Sequence, residues 1–377
     1  MSNLVIIGFG ISTLCFLIYI YDNNLINTFD QILVLEKNDK SCLESLNYKN
    51  VNSNSKLSSL ISIFSNQIFE HYISKVKNKY NLDKYINLSD YNKIIIDISD
   101  IFLKELIKYK NIKIKYNYSV ESIITKNNSY IINNEILANK IILATGAKHN
   151  LDYFKYLDQK DILSNCNQKI LIPNNLYNQN KLNYLNNKSI SIIGSSHSIM
   201  SIIDLIFKYN INFKSIDIYY RNKIKVFYIS KEECLKNNDN CSEDDICTET
   251  QFINRFDGLR ENSKNLFLNL KNYSNINLHK ISEQNINNIN KSDYIIPCWG
   301  YFKNIPKINN TTSYNIDSNN NFELLLDKKL YNNIYLLGIS SNPKIEYTQK
   351  SFSKSLDGIW IYYNVISKKL YEKIINP

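Results

Sequence analysis

Short apolar runs followed by glycine and then by a long apolar stretch occur at two places in this chain. The first is "LVII", residues 4–7, followed by Gly8 and Gly10 and by ten mostly apolar residues. The second is residues 189–193, followed by Gly194 and another apolar stretch. A buried strand, a tight turn and an apolar helix produce this pattern. We therefore predict two strand–turn–helix units of the same kind.

Each unit is followed by a second apolar run that ends at a charged residue. Glu36 lies 28 residues after Gly8, and Arg221 lies 27 residues after Gly194. In dinucleotide-binding units an acid at this place accepts hydrogen bonds from ribose hydroxyls, whereas an arginine suits a 2′-phosphate. The spacing predicts an internal repeat, with a free ribose at the first unit and NADP(H) at the second. An exposed arginine at a strand end is the alternative for Arg221.

The pattern changes between the two units. Residues 112–139 alternate between apolar and polar, which predicts a half-buried antiparallel meander. Residues 58–80 show mixed helical periodicity, and residues 94–110 predict a loop followed by an amphipathic helix. Asp97 and Asp100 fit helix N-capping better than a catalytic pair.

The uncharged residues 4–21 have a second interpretation as a membrane anchor, because a spanning helix needs about 20 apolar residues. A signal peptide would carry a basic segment before the run and a small-residue cleavage site after it, and neither is present. Gly8, Gly10 and Glu36 favour nucleotide binding, so we expect no stable membrane insertion. A membrane-tethered variant remains as a minor alternative.

Glycine is scarce, which makes each glycine informative. Only eight of the 377 residues are glycine, and a residue without Cβ is favoured where the backbone turns tightly or approaches another group. Further apolar runs end at Ala144-Thr145-Gly146, at Gly300 and at Gly338. We expect these glycines to occupy places where a side chain would not fit.

The charge and the cysteines restrict the class of partner. The net charge is +10, but the basic residues are interleaved with acids and asparagines, whereas a nucleic-acid reader shows a clustered basic stripe. No nucleic-acid partner is expected.

Seven cysteines without a C-x-x-C motif indicate a reducing compartment, the cytoplasm, and no metal site. Cys234, Cys241 and Cys247 lie in a presumed acidic loop, with a disulfide or a weak metal site as alternatives.

The order of these landmarks resembles flavoproteins that carry two dinucleotide-binding domains. The FAD domain of that family contains, in this order, a glycine-rich turn, an acid, a meander and a strand that ends in Ala-Thr-Gly. The resemblance covers nearly the whole chain, although the acid expected after Gly338 is missing. It implies FAD contacts at Gly8, Gly10, Ser12, Thr13, Glu36, Lys56, Val120, Ala144, Thr145, Gly146, Gly338 and Ile339. For Lys56, a solvated lysine is the alternative.

The same resemblance implies an α/β fold with two Rossmann-like domains of three-layer ββα architecture. The NAD(P)H-binding domain, residues 161–289, would be inserted into a discontinuous FAD domain, residues 1–160 and 290–377, with Gly300 near the point of return. The turn "GSSHSI" resembles that of flavin monooxygenases and amine N-hydroxylases. It implies NADP(H) contacts at Gly194, Ser195, Ser196, His197, Ser198 and Arg221. Gly300 is a further predicted cofactor-binding residue. A histidine that only orders the turn is the alternative for His197.

These residues predict a FAD-dependent oxidoreductase that takes a hydride from NADPH. The resemblance implies monooxygenase-like, N-hydroxylase-type chemistry on a small molecule, with no catalytic residue assigned. Thr13 and Ser196 stand where glycines are usual, so a non-catalytic or degenerate nucleotide-binding protein is the alternative. A disulfide-reductase-like flavoprotein that lacks its own cysteine pair is a lesser one.

Overall fold

The structure is a computed structural model. It describes residues 3–40, 43, 51–149, 169–248, 250–255, 257–282, 284–309, 316–318, 322–338 and 358–376. The α-helices are Ile11–Asp22, Leu57–Ile61, Glu70–Lys79, Leu88–Leu106, Pro173–Leu176, Gln179–Leu182, His197–Lys208, Lys231–Lys236, Glu261–Asn269, Gly358–Ile361 and Lys368–Ile375, with a π-helix at Tyr362–Ser367. The 3-10 helices are Ile26–Thr28, Gln67–Phe69, Asn183–Leu185, Glu243–Asp245, Leu270–Asn272 and Ile286–Lys291.

The strands are numbered in chain order. They are β1 (Asn3–Ile7), β2 (Gln31–Leu35), β3 (Ile112–Lys115), β4 (Ser122–Lys126), β5 (Ser129–Ile132), β6 (Ile136–Ala138), β7 (Lys140–Leu143), β8 (Ala147–His149), β9 (Ser189–Gly194), β10 (Ser215–Tyr220), β11 (Ile276–Lys280), β12 (Tyr294–Cys298), β13 (Tyr301–Lys303), β14 (Lys307–Ile308), β15 (Ile316–Ser318), β16 (Glu323–Leu326) and β17 (Lys329–Leu336).

The larger sheet has seven strands in the order β15-β16-β17-β7-β1-β2-β3. β1 pairs in parallel with β2 and β7, so that Ile7 lies opposite Leu35 and Leu143. A parallel strand covered on both faces needs a nearly continuous apolar run, which is why "LVII" forms β1. The carboxyl ends of β1, β2 and β7 therefore lie side by side, and the residues that follow them meet at one edge.

This sheet is the middle one of three layers. Leu4 and Ile6 of β1 belong to a core shared with the helices on one face. Val5 and Ile7 belong to a second core, because successive side chains of a strand point to opposite faces. That core is shared with the four-stranded sheet β14-β4-β5-β6. The predicted meander is therefore the third layer, and the ββα architecture is confirmed.

The second sheet repeats the strand arrangement of the first. Its order is β11-β10-β9-β12, and all its neighbouring strands are parallel. The order matches β3-β2-β1-β7 of the larger sheet. Helix His197–Lys208 packs Ile199 and Ile203 into a core with Ile190 and Ile192 of β9. The predicted internal repeat is thus confirmed as two crossover units with the same topology.

The sheets also bear on how the chain is divided. β15, β16 and β17 join the sheet that begins with β1, whereas β9 to β12 form a sheet of their own. The domain bounds stay a prediction. The bound at 160 lies within residues 150–168, outside the described residues. The bound at 289 precedes β12, which belongs to the parallel sheet β11-β10-β9-β12.

Helix Leu88–Leu106 begins earlier than the sequence suggested. Asn87 precedes its first turn in an extended conformation, with φ −61° and ψ 139°. Asp97 and Asp100 consequently lie inside the helix, and the N-capping interpretation is wrong. Asp97 instead accepts a hydrogen bond from the Tyr72 hydroxyl.

The apolar helix after the first turn, Ile11–Asp22, has 12 residues. Across the described ranges of the chain, no helix is both long enough and apolar enough to cross a membrane.

Candidate functional site

The first turn depends on the absence of a side chain at Gly8. Its φ is +98°, and a Cβ placed there would lie 2.5 Å from the Ala144 carbonyl oxygen. The Gly8 amide donates to the Leu35 carbonyl at 2.8 Å. The end of β1 is thus held between the ends of β2 and β7, at a separation that only glycine permits.

Helix Ile11–Asp22 starts at this turn with its amide groups available. Gly10 precedes it in an extended conformation, and no side chain caps the helix. The first amides of a helix have no partner within it and attract anions such as a diphosphate. Thr13 stands where a third glycine is usual, and its hydroxyl donates to the Gly8 carbonyl at 2.7 Å. The threonine therefore closes the turn rather than weakening it.

Glu36 joins the end of β2 to the same turn. Its side chain is only 2% exposed. One carboxylate oxygen, Oε2, accepts the Phe9 amide at 2.7 Å, and Oε1 accepts the Asn38 amide and the Asn38 side chain at 3.0 and 2.6 Å. Each carboxylate oxygen has two acceptor positions, so Oε2 retains one. That position suits a ribose hydroxyl.

The Ala144-Thr145-Gly146 turn contains an unsatisfied hydroxyl. Thr145 Oγ1 is buried and has no hydrogen-bond partner in the part of the chain described here. Such groups are rare because leaving one unpaired costs about 1–3 kcal/mol. Gly146, with φ +69°, faces open space. An orphaned hydroxyl beside open space fits a polar ligand at this edge.

The segment leading to Val120, and the pair Gly338 and Ser12, lie at the same edge. The Tyr118 amide donates to the Glu36 carbonyl at 2.9 Å, which places the segment leading to Val120 beside Glu36. Gly338, with φ +81°, lies so close to Ser12 that a Cβ would be 2.5 Å from its hydroxyl. Lys56 is exposed immediately before helix Leu57–Ile61. Ile339 lies outside the described residues.

The second turn repeats the geometry of the first. Gly194 has φ +145°, and a Cβ there would lie 2.8 Å from the Cys298 carbonyl carbon. Ser196 precedes helix His197–Lys208 with φ −117° and ψ 176°, close to the −102° and −171° of Gly10, and again no side chain caps the helix. The serine replaces glycine without changing the backbone path.

The remaining residues of the second unit surround this turn. Ser195 and Ser198 are half-buried, and Ser196 is exposed. Arg221 is exposed directly after β10. Gly300, with φ +102°, follows β12 as Gly146 follows β7. The structure therefore places a cation in the second unit at the strand end where the first unit has Glu36.

His197 begins helix His197–Lys208 in a partly buried, positively charged environment. Burial lowers its pKa from the usual histidine value, and the nearby Arg260 guanidinium lowers it further. A hydrogen bond to the backbone of Gly258 opposes these effects only in part. The imidazole is consequently held neutral near pH 7, as a donor or acceptor beside the helix start.

Sequence reasoning missed two buried arginines next to this turn. Arg255 and Arg260 are 3% and 8% exposed, and Arg260 lies 5.5 Å from the Phe227 ring centroid. The Arg260 guanidinium also donates to the Arg255 carbonyl. The only signal was two arginines in "RFDGLR", and nothing in that spacing distinguishes buried from solvated arginines.

Metal chemistry has no support in the described ranges, where no three His, Cys, Asp or Glu side chains are grouped to hold an ion. The side-chain and backbone groups at the two turns instead fit two dinucleotides.

The comparisons agree with this geometry at the level of the fold. No protein-family model and no curated protein sequence matches the chain. Among solved structures, it resembles the FAD-bound cadaverine monooxygenase DfoA from Erwinia amylovora, with 11% identity, coverage of 100% of this chain and 95% of that chain, and a TM-score of 0.62. It resembles ornithine hydroxylase PvdA from Pseudomonas aeruginosa, with 11% identity, coverage of 100% and 99%, and a TM-score of 0.58.

A third similar structure is ornithine N-hydroxylase KtzI from Kutzneria sp. 744, with 10% identity, coverage of 100% of this chain and 99% of that chain, and a TM-score of 0.58. At these identities the likeness shows the fold. The chain therefore has the two-domain FAD- and NAD(P)-binding flavoprotein fold, as the order of its motifs predicted.

Replacing Gly8 with alanine tests the close approach of the strand ends. Gly8→Ala must displace the Ala144 backbone, whereas Gly146→Ala carries only the cost of a left-handed backbone, about 1–2 kcal/mol. We expect the larger loss of unfolding free energy for Gly8→Ala, measured by urea denaturation with circular dichroism. Equal losses for both variants would contradict the contact.

The environment of His197 predicts a pH dependence. Its pKa is lowered in the folded chain, so the unfolded chain binds more protons when the pH falls below about 6.5. The contribution to stability is present above that pH and is lost as the pH falls through the folded-state pKa. Proton NMR titration should show this pKa below the usual value, and Arg260→Gln should raise it.

His197→Asn provides the matched control for that titration. It should remove one histidine resonance and make the stability profile flatter on the acidic side. A His197 that titrates at or above the usual histidine value would refute the described environment.

Proposed function

We propose that this chain is a FAD-dependent oxidoreductase that takes a hydride from NADPH in an N-hydroxylase-type monooxygenase reaction. The observation that carries the proposal is the repeated turn. Gly8 and Gly194 lie in the same contact with a neighbouring strand end, and each is followed by an uncapped helix. Two such turns supply two diphosphate sites in one chain.

The first unit supports the FAD site. The amides at the start of helix Ile11–Asp22 would hold the diphosphate, and the remaining acceptor position of Glu36 would take a ribose hydroxyl. The unsatisfied Thr145 hydroxyl lies at the same edge, and Gly338 packs against Ser12 there. Lys56 and Val120 complete the proposed FAD contacts.

The second unit supports the NADPH site. The amides that begin helix His197–Lys208 would bind the diphosphate, with Ser195, Ser196 and Ser198 as hydroxyl donors. Arg221, at the end of β10, would pair with the 2′-phosphate. Arg260 adds positive charge beside His197. The same division supports a discontinuous FAD domain with the NADPH domain inserted into it.

The reaction class follows from having both sites. Bound FAD supplies the chemistry, since it accepts the hydride and reacts with oxygen, while the residues above bind and orient the two cofactors. The similar structures include a cadaverine monooxygenase and ornithine hydroxylases, which supports a small amine as substrate. The proposal assigns no residue to proton transfer.

Anaerobic mixing with NADPH tests the function. The purified protein should be yellow, and NADPH should bleach the flavin absorption band faster than NADH does. A colourless protein that FAD cannot reconstitute would refute the proposal. A yellow protein that neither nucleotide bleaches would identify a non-catalytic flavin-binding protein instead.

Admitting oxygen to the reduced protein tests the N-hydroxylase assignment. With cadaverine or ornithine present, hydroxylated amine should form and peroxide release should fall. Quantitative peroxide release with every amine tested would contradict the monooxygenase assignment but leave NADPH oxidation in place.

Arg221 should determine the choice of nicotinamide cofactor. A hydrogen bond to a charged group contributes about 1.5–3 kcal/mol, so Arg221→Gln should raise the KM for NADPH by roughly 10- to 100-fold. The KM for NADH should change little, because NADH has no 2′-phosphate.

Lys214→Gln is the matched control for Arg221. It removes the same charge from an exposed residue at the opposite end of β10, and both KM values should stay near those of the wild type. Equal effects of Arg221→Gln on NADPH and NADH would contradict the 2′-phosphate contact.

A further inference from the structure

Cys234 and Cys241 meet in a small core beside the second unit. Cys234 is fully buried with Val226, Tyr228 and Ile253, and Cys241 packs against this cluster half-buried. The Cys241 side chain is close enough to influence the ionisation of the Cys234 thiol. Both cysteines are reduced in this structure, so two thiols separated by six residues of chain lie in the same small core.

The turn between the two cysteines is fixed by its own contacts. The Asp239 amide donates to the Cys234 carbonyl at 3.2 Å, and the Cys234 thiol donates to the Asp239 carbonyl at 3.4 Å. The Asp239 carboxylate accepts the Tyr228 hydroxyl at 3.1 Å and pairs with Lys223 at 2.6 Å. These contacts fix the turn that leads from Cys234 towards Cys241.

The other cysteines have different surroundings. Cys15 and Cys298 are buried, and burial raises the pKa of both thiols far above the usual cysteine value. The Cys247 sulfur accepts a hydrogen bond from Arg255 at 3.3 Å. Cys42 and Cys166 lie outside the described residues. Cys234 and Cys241 are thus two reduced thiols that share one small core.

We propose that Cys234 and Cys241 are a redox-sensitive modification site, which hydrogen peroxide converts into an intrachain disulfide. The half-buried Cys241 thiolate attacks one peroxide oxygen, the O–O bond breaks, and a sulfenic acid and hydroxide form. The second sulfur then attacks the sulfenic sulfur, the S–O bond breaks, and hydroxide leaves. The two hydroxides take up the two thiol protons, so two thiols and one peroxide give one disulfide and two waters.

The environments of the thiols assign the order of attack. Burial, followed by the neighbouring Cys241 thiol, raises the pKa of Cys234 to about 11. A thiol that is rarely ionised is a poor first nucleophile. Cys241, which reaches solvent, therefore meets the peroxide, and Cys234 resolves the sulfenic acid. In a reducing compartment such a bond is reversible.

A chain of neighbouring residues links the two cysteines to the proposed NADPH site. Tyr228, which binds the turn between the cysteines, follows Phe227, whose ring lies 5.5 Å from the Arg260 guanidinium carbon. The charge of Arg260 in turn lowers the pKa of His197, the first residue of helix His197–Lys208. A disulfide would fix this segment, although the modification does not depend on the proposed function.

Peptide mapping tests the pair directly. The full-length protein is treated with hydrogen peroxide, alkylated, digested with trypsin and analysed by mass spectrometry. Because Lys236 separates the cysteines, the disulfide joins two peptides, residues 232–236 and 237–255. We expect most chains to carry this link and dithiothreitol to remove it, with unchanged circular dichroism before and after treatment.

Single variants identify the partners. The link should persist in Cys247→Ser, which removes the other cysteine of the second peptide, and disappear in Cys241→Ser and Cys234→Ala. A folded wild-type protein in which Cys234 is still fully alkylated after peroxide treatment would overturn the proposal. A link that is lost in Cys247→Ser would overturn it as well.

Discussion

The end of a strand lies in contact with the backbone of its neighbour at two places, and the arrangement of both nucleotide sites depends on that contact. At Gly8 and Gly194 the backbone has a positive φ and leaves no room for a Cβ against Ala144 and Cys298. This approach directs the chain away from the sheet and starts each following helix at the sheet edge. The uncapped amides of both helices consequently face the region where residues after three strands converge.

Electrostatics distinguish two units that share this backbone. In the first, the buried Glu36 carboxylate accepts the Phe9 amide and so joins the turn to the next strand. In the second, Arg221 follows the corresponding strand, and Arg260 adds positive charge beside His197. Under the proposed function, one scaffold would thereby present an acceptor for a ribose hydroxyl at one site and donors for a phosphate at the other.

Local patterns allowed much of the fold to be predicted from the sequence. The apolar runs and the rare glycines identified both turns, and the alternation in residues 112–139 identified the meander. Contacts between distant residues could not be predicted in the same way. Thr13 looked like a defect because its bond to the Gly8 carbonyl depends on the folded turn. Nothing in the local pattern showed that Arg260 is buried. Asp97 was predicted to cap a helix that in fact begins directly after Asn87.

Equilibrium binding of FAD and NADP⁺ to the wild-type protein tests the central claim most directly. If each unit holds its own dinucleotide, one FAD and one NADP⁺ should bind per chain, and saturation with one should not displace the other. Competition between the two ligands for a single site would contradict the account, because it would leave one of the two turns without a nucleotide.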